Sequence, residues 1–296
     1  MMVDDWCPLL DRETLRKIRR IQIRTRAILE SGIGGAYQAV FKGRGMEFAE
    51  VREYAPGDEV RTIDWNVTAR MGAPYVKKFV EERDLTLLLV VDVSGSQQFG
   101  SQYLLKRDYA AELAAVLAFS AVANHDRVGA VLFSDRIEGY VPPARGRDHA
   151  LRIVRDLLAR EPAGRGTDLA GALRFAQRVL RRRGVVAVVS DFQAEGWEKA
   201  IGVLRRRHDV VALHLADPRE DELPAAGLVA FSDPETGARV VADTSRPEVR
   251  RALRAPGFAE AQAAFKKTRV DALPLSTGES YDRPLSGFFK ARERRR

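Results

Sequence analysis

From about residue 85 onward the chain alternates two hydrophobic rhythms. Short, continuous apolar runs occur at Leu85 to Val91, Arg127 to Ser134 (RVGAVLFS), Gly184 to Ser190 (GVVAVVS) and Asp209 to Ala216 (DVVALHLA). They are rich in β-branched residues and lack a polar face, which predicts strands covered on both sides. Between them, the segments SQYLLKRDYAAELAAVLAFSAVANHD, RDHALRIVRDLLAR, DLAGALRFAQRVLRRR and WEKAIGVLRRR repeat their apolar residues at helical spacing. Strands alternating with helices of this length predict an α/β, Rossmann-like architecture: a mostly parallel sheet with helices on both faces.

The pattern changes on either side of this core. Upstream, RGMEFAEVREYAPGDEVRTIDWNVTARMGAPYVKKFVEERD mixes charged and apolar residues, carries turn signals at PGD and GAP, and has no long helical period. It predicts a small β-rich unit, preceded by one amphipathic helix at about Asp11 to Glu30. Downstream, GLVAFSDPETGARVVADT predicts a hairpin around PETG, followed by helices near Glu248 to Lys267. The expected division is residues 1–84 for the leading helix and β-rich unit, and 85–296 for the α/β domain with its C-terminal hairpin and helices.

At 296 residues and 45% hydrophobic content, the chain can bury a sizeable core. Its single cysteine, Cys7, excludes a disulfide framework and fits a reducing compartment. The start, MMVDDWCPLL, is acidic where a secretory signal is basic. The apolar runs LTLLLVV and AAVLAFSAVA fall short of the roughly 20 residues a spanning helix needs. A cytoplasmic protein without a membrane span is expected.

Net charge is +8, gathered in clusters such as RKIRR, Arg181 to Arg183, Arg205 to Arg207 and the tail ARERRR. Solvated helix ends and a frayed terminus explain such clusters. A basic nucleic-acid-binding protein is the alternative, but no aromatic-interleaved basic motif, zinc-finger spacing or recognition-helix pattern accompanies the charge. Catalysis finds little support either. The sequence contains no Walker loop, no strand-linked G-x-G-x-x-G and no G-x-S-x-G elbow. A divalent-metal phosphohydrolase with a D-x-D pair is countered by Ser94 in the second position. His125, His149, His208 and His214 read as ordinary surface or packed residues. No small-molecule substrate is indicated.

The chemistry concentrates at the strand ends. Right-handed crossovers gather the strand C-termini along one edge, where open α/β sheets form their ligand crevice. Asp92 follows the first core strand in DVSGS, Asp135 closes VLFSD and Asp191 closes VVAVVSD. Thr167 or Asp168, in GRGTDLAGAL, suits a helix N-cap. Ser94 and Ser96, two and four residues after Asp92, can turn hydroxyls toward the same point, with Thr167 and Asp191 arriving from neighbouring strand ends. Carboxylates and hydroxyls suit a hard cation such as Mg²⁺, with Mn²⁺ or Ca²⁺ as alternatives. The sulfur and imidazole that softer metals prefer are missing from these loops.

DVSGS, GTD and SDF together strongly resemble the metal-ion-dependent adhesion site of von Willebrand factor A domains. The resemblance implies a von Willebrand factor A-like fold, hydroxyl ligands from Ser94, Ser96 and Thr167, and support from Asp92 and Asp191, often through water. A partner's carboxylate can complete the shell. Gln97 departs from the family pattern, where methionine commonly follows the second serine; that position packs and does not ligate.

With the upstream signature included, the chain resembles the bacterial family catalogued as domain of unknown function 58 from its leading helix to PLSGFFKARERRR. The resemblance implies a non-enzymatic, metal-dependent interaction module that partners a MoxR-type AAA+ ATPase, or its client protein, through an acidic residue, in chaperone-like maturation or stress response. Within the signature, Arg52, Asp58, Arg61, Asp64, Trp65 and Arg70 are expected to form a structural network of paired charges with an aromatic anchor.

Overall fold

The computed structural model describes residues 12–28, 46–81, 85–102 and 104–295. Two compact units emerge: Met1–Val40 with Thr86–Arg296, and Phe41–Leu85. The smaller pairs β1 (Met46–Glu53) with β2 (Tyr75–Glu81) in antiparallel fashion, with a bulge between Phe48 and Glu50. Asp64 caps the short helix Trp65–Met71 by accepting from the amides of Asn66 and Val67, and the helix stops at Gly72, whose φ of 75° suits glycine.

Here the signature residues separate. Arg52 grips Asp58 through two hydrogen bonds of 2.8 and 2.7 Å, and Asp64 pairs with Lys77 at 3.2 Å. Arg61, Trp65 and Arg70 are exposed. Within this unit the contacts of the signature are local, and Trp65 is 67% exposed.

The larger unit is built on β3 (Thr86–Asp92), β4 (Arg127–Phe133), β5 (Ile137–Ala144), β6 (Val185–Ser190) and β7 (Asp209–Ala216). After these come the hairpin of β8 (Leu228–Ser232) and β9 (Arg239–Asp243), then β10 (Asp271–Ser276). The six-stranded sheet runs β10-β7-β6-β3-β4-β5, parallel except for the antiparallel edge pair β4–β5. Every β3 residue from Leu87 to Asp92 is buried, as a run without a polar face requires. Leu88 and Val90 pack against the helices Leu169–Val179 and Trp197–Arg207 on one face. The helices Lys106–Ala123 and Arg147–Ala159 pack together beyond the sheet's other side.

Three features depart from expectation. The helix Arg12–Ile28 buries Ile21 against Ala115 and Val154 and pairs Lys17 with Asp108 and Arg24 with Glu112, at 3.2 and 2.8 Å. It thus groups with residues 86–296 and not with the β-rich segment that follows it; Asp11, Leu29 and Glu30, the ends expected for it, lie outside the described residues, as does Cys7. The basic tail is helical over Asp282–Arg295, and Arg292 is buried between Asp209 and Asp271 at 2.7 and 2.8 Å. Finally, β5 and β10 carry prolines, Pro142, Pro143 and Pro274, which mask them as strands in the sequence and which edge positions tolerate. Among the described residues no helix is long and apolar enough to cross a membrane.

Candidate metal centre

The sheet reverses its winding at β3, which lies between β4 and β6, so the loops leaving β3 and β6 open the crevice of the fold. Asp92 closes β3 and is buried. Its Oδ1 accepts from the amide of Ser94 at 2.9 Å, folding the loop back over the strand end, and its Oδ2 accepts from Ser190 Oγ at 2.7 Å. Both carboxylate oxygens are thus engaged, and Asp92 acts by shaping the loop.

That loop presents Ser94 Oγ 3.2 Å from Ser96 Oγ, and Ser96 Oγ donates to Asp191 Oδ2 at 3.0 Å. Asp191 is aimed by the residue after it: Phe192 takes φ of 56°, a left-handed conformation costly for a bulky side chain. The turn is held by the Phe192 amide donating to Ser190 Oγ at 3.1 Å and by Phe192 packing on Trp197 and Phe265. Asp92, Ser94, Ser96 and Asp191 are therefore brought together.

Thr167 reaches the same rim from another loop and faces a different partner. The carbonyl of Arg165 accepts from the Gly95 amide at 2.8 Å, setting the 165–167 segment beside the Ser94–Ser96 loop. Thr167 Oγ1, however, donates to Glu235 Oε1 at 2.7 Å, from the β8–β9 turn. Of the two cap candidates, Asp168 performs the task, accepting from Gly171 N at 2.7 Å. Asp135 stays outside, exposed and paired with Arg136 at 2.7 Å.

Sequence reasoning missed three residues. Lys106 is fully buried at the first position of its helix and donates to Asp191 Oδ2 at 2.9 Å and to Glu220 Oε1 at 2.6 Å. Burial alone would pull its pKa down, but the two carboxylates outweigh this and hold it above its ordinary value. Ser190 carried a readable signal as the hydroxyl next to a strand-end aspartate. Glu235 carried none, since only the fold brings the hairpin to Thr167.

Charge is unevenly compensated. Burial first, and then the like charge of Asp191, push the Asp92 carboxyl up to about 7. Gln97 donates to Asp191 Oδ2 at 3.3 Å and leaves its own Oε1 buried without a partner. Among the described residues, no three His, Cys, Asp or Glu side chains gather, so the donors are two carboxylates and several hydroxyls. This hard-oxygen set fits a small divalent cation. The 3.2 and 3.0 Å separations along Ser94, Ser96 and Asp191 lie near the edge, about 3 Å, of an octahedron with ~2.1 Å metal–oxygen distances.

Residues 50–263 match the sequence profile of the family described as "Protein of unknown function DUF58". An uncharacterized protein of Mycobacterium bovis is 35% identical over 223 residues, covering 74% of this chain and 70% of that one. The magnesium-chelatase 67 kDa subunit of Heliobacterium mobile is 31% identical over 116 residues, 39% of this chain and 16% of that subunit. Among solved structures, an aerotolerance-related membrane protein from Bacteroides fragilis aligns over 70% of this chain and 99% of its own, with a TM-score of 0.49 and 17% identity.

Proposed function

The chain belongs to the family described as Protein of unknown function DUF58 and has a von Willebrand factor A-like fold, and on that footing we propose that it is a non-enzymatic, Mg²⁺-dependent protein-interaction module. The observation that carries this reading is the continuous run of oxygens from Ser94 through Ser96 to Asp191 at the sheet's switch point. Ser94 and Ser96 would hold the ion directly, Thr167 from the adjoining loop, with Asp92 and Asp191 in support. A cation bound there supplies a Lewis acid toward an acidic side chain of a partner.

Covalent chemistry on a substrate at this rim would need an activated serine. Among the described residues, Ser94 and Ser96 hydrogen-bond to each other, to Asp191 and to Gln97, and meet no imidazole that could activate them. His214, the nearest in chain position to the β7 end, is buried among rings, stacked on Phe192 and edge-on to Phe258. Arg292 of the basic tail is buried between Asp209 and Asp271, so that cluster is partly engaged inside the fold, which weakens its reading as a phosphate-binding surface. The partner we propose is a MoxR-type AAA+ ATPase or its client protein, engaged through an acidic residue. The partial likeness to a magnesium-chelatase subunit agrees with work inside a larger assembly, since a subunit is by definition one component of several.

Titration calorimetry with Mg²⁺ and Mn²⁺ tests the site without the partner. The variant carrying Ser94→Ala and Ser96→Ala should lose about 100-fold in metal affinity. It is a cleaner probe than an Asp92 substitution, which would strand the Ser94 amide and the Ser190 hydroxyl in the interior. Capture of a MoxR-type ATPase should vanish in EDTA and resist added salt; the opposite response would identify phosphate-driven nucleic-acid binding. Wild-type protein that takes up neither metal would refute the proposal.

A further inference from the structure

The hairpin tip that meets Thr167 is built with care for so exposed an element. Asp233 accepts from the Glu235 amide at 2.8 Å, the Thr236 amide at 3.3 Å and the Thr236 hydroxyl at 2.7 Å, while Gly237 closes the turn at φ of 73°. The product is a fixed presentation of Glu235, whose Oε1 lies 2.7 Å from Thr167 Oγ1. The tip also sits on the loop that carries the two serines. A Cβ at Gly95, between Ser94 and Ser96, would lie 2.6 Å from the Pro234 carbonyl oxygen, so only glycine allows this approach.

Two further observations argue against a purely structural pin. Glu235 is half-buried, yet among the described residues no lysine or arginine pairs with it, which leaves a carboxylate held by a neutral hydroxyl. The hairpin has little core of its own, since Leu228 and Val241 are 78% and 67% exposed, so lifting it exposes little new apolar surface.

We propose that Glu235 is this chain's own acidic ligand for the rim, so that the β8–β9 hairpin occupies the position a partner's carboxylate takes and must be displaced by it. The proposal rests on the metal-dependent reading above and adds to it a regulation of the same site. Glu235 would add its carboxylate to a cation held by the rim and so keep the hairpin down; an acidic peptide would compete for that place, and capture would be tuned by how readily the tip lifts.

Glu235→Gln separates the two roles, because glutamine keeps the acceptor for Thr167 and the side-chain shape but removes the charge. With Mn²⁺ as the probe in calorimetry, the variant should bind about tenfold more weakly than wild type while its circular dichroism is unchanged. With acetate as the probe of the carboxylate position, relaxation of its methyl protons by bound Mn²⁺ should be severalfold stronger in the variant, since the position is open. Equal Mn²⁺ affinity and equal acetate relaxation in the two proteins would overturn the role of Glu235. If Mn²⁺ binding were still lost in the Ser94→Ala, Ser96→Ala variant, that same result would leave the interaction module standing. No Mn²⁺ binding to wild type or Glu235→Gln would overturn both.

Discussion

Asp92 and Asp217 stand at the C-terminal ends of β3 and β7, both fully buried in one sheet, and they differ in how their charge is met. Asp217 accepts from the Ser101 amide at 2.8 Å, the Arg219 amide at 2.9 Å and Thr277 Oγ1 at 2.6 Å, and the Ser101 hydroxyl adds a fourth bond. Burial would raise its pKa, but the bonds from Ser101, Thr277 and Arg219 win and hold it below the usual carboxylate range. Asp92 has fewer donors and a like charge beside it, and is pushed the other way, to about 7.

Lys106 joins the two rims, since Glu220, its second partner, accepts from the Asp217 amide through Oε2 at 2.9 Å. The contrast teaches that a strand-end aspartate becomes a fastener when its lone pairs are saturated with donors. It becomes a receptor when charge is left over that an added cation can neutralise. The β7 rim is of the first kind, and on the metal-dependent reading proposed above the β3–β6 rim is of the second.

The sharpest way to break this contrast is Lys106→Met. It leaves the buried Asp191 and the half-buried Glu220 without their ammonium, and should cost about 3–5 kcal/mol in urea unfolding. Mg²⁺ should recover part of that loss; recovery equal to the wild-type response would mean that the β3–β6 rim does not attract cations. Next comes Asp217→Ala, which strands the buried Thr277 hydroxyl and removes the acceptor for the Ser101 and Arg219 amides, and should cost about 3 kcal/mol. Mg²⁺ should not relieve it, and relief by Mg²⁺ would erase the distinction between fastener and receptor.

Acid provides a control far from both rims. His208, buried just before β7, has its pKa lowered to about 4 by burial and by the charges of Arg207 and Arg183. The unfolded imidazole protonates near 6.5 while the folded one resists. Its contribution is therefore complete above about pH 6.5 and is lost as pH falls toward 4, by at most about 3 kcal/mol. Denaturant titrations of wild type and His208→Leu at about pH 7 and pH 4.5 should differ by that amount, independent of Mg²⁺. A wild type that loses no more than the variant would remove His208 from the account. The smallest change is Asp64→Ala, which uncaps the helix Trp65–Met71 and should cost the small unit about 1 kcal/mol without altering Mg²⁺ affinity.

Local pattern made much of this legible. The four apolar runs became β3, β4, β6 and β7 to within a residue or two, because a strand covered on both faces can hold only apolar residues. The helix Trp197–Arg207 and the PETG hairpin followed from period and turn chemistry in the same way. Where propensity spoke against an element, only the sheet could decide: β5 and β10 are strands because edge positions excuse their prolines. The leading helix was visible as an amphipathic segment, but its apolar stripe did not say which unit it covers; Ile21 between Ala115 and Val154 does.

At the rim, the sequence alone singled out the donors proposed for the cation. Asp92, Ser94 and Ser96 are close in the chain, and Asp191 and Thr167 end or precede regular elements, so residue type and strand position suffice to select them. What the tertiary structure decided is the state of each: that Asp92 has one donor on each carboxylate oxygen, that Asp191 shares its charge with Lys106, and that Thr167 faces Glu235. Those outcomes depend on contacts between residues 68 to 98 positions apart. Chain pattern fixes which face a side chain takes, whereas distance across the sheet fixes what it meets.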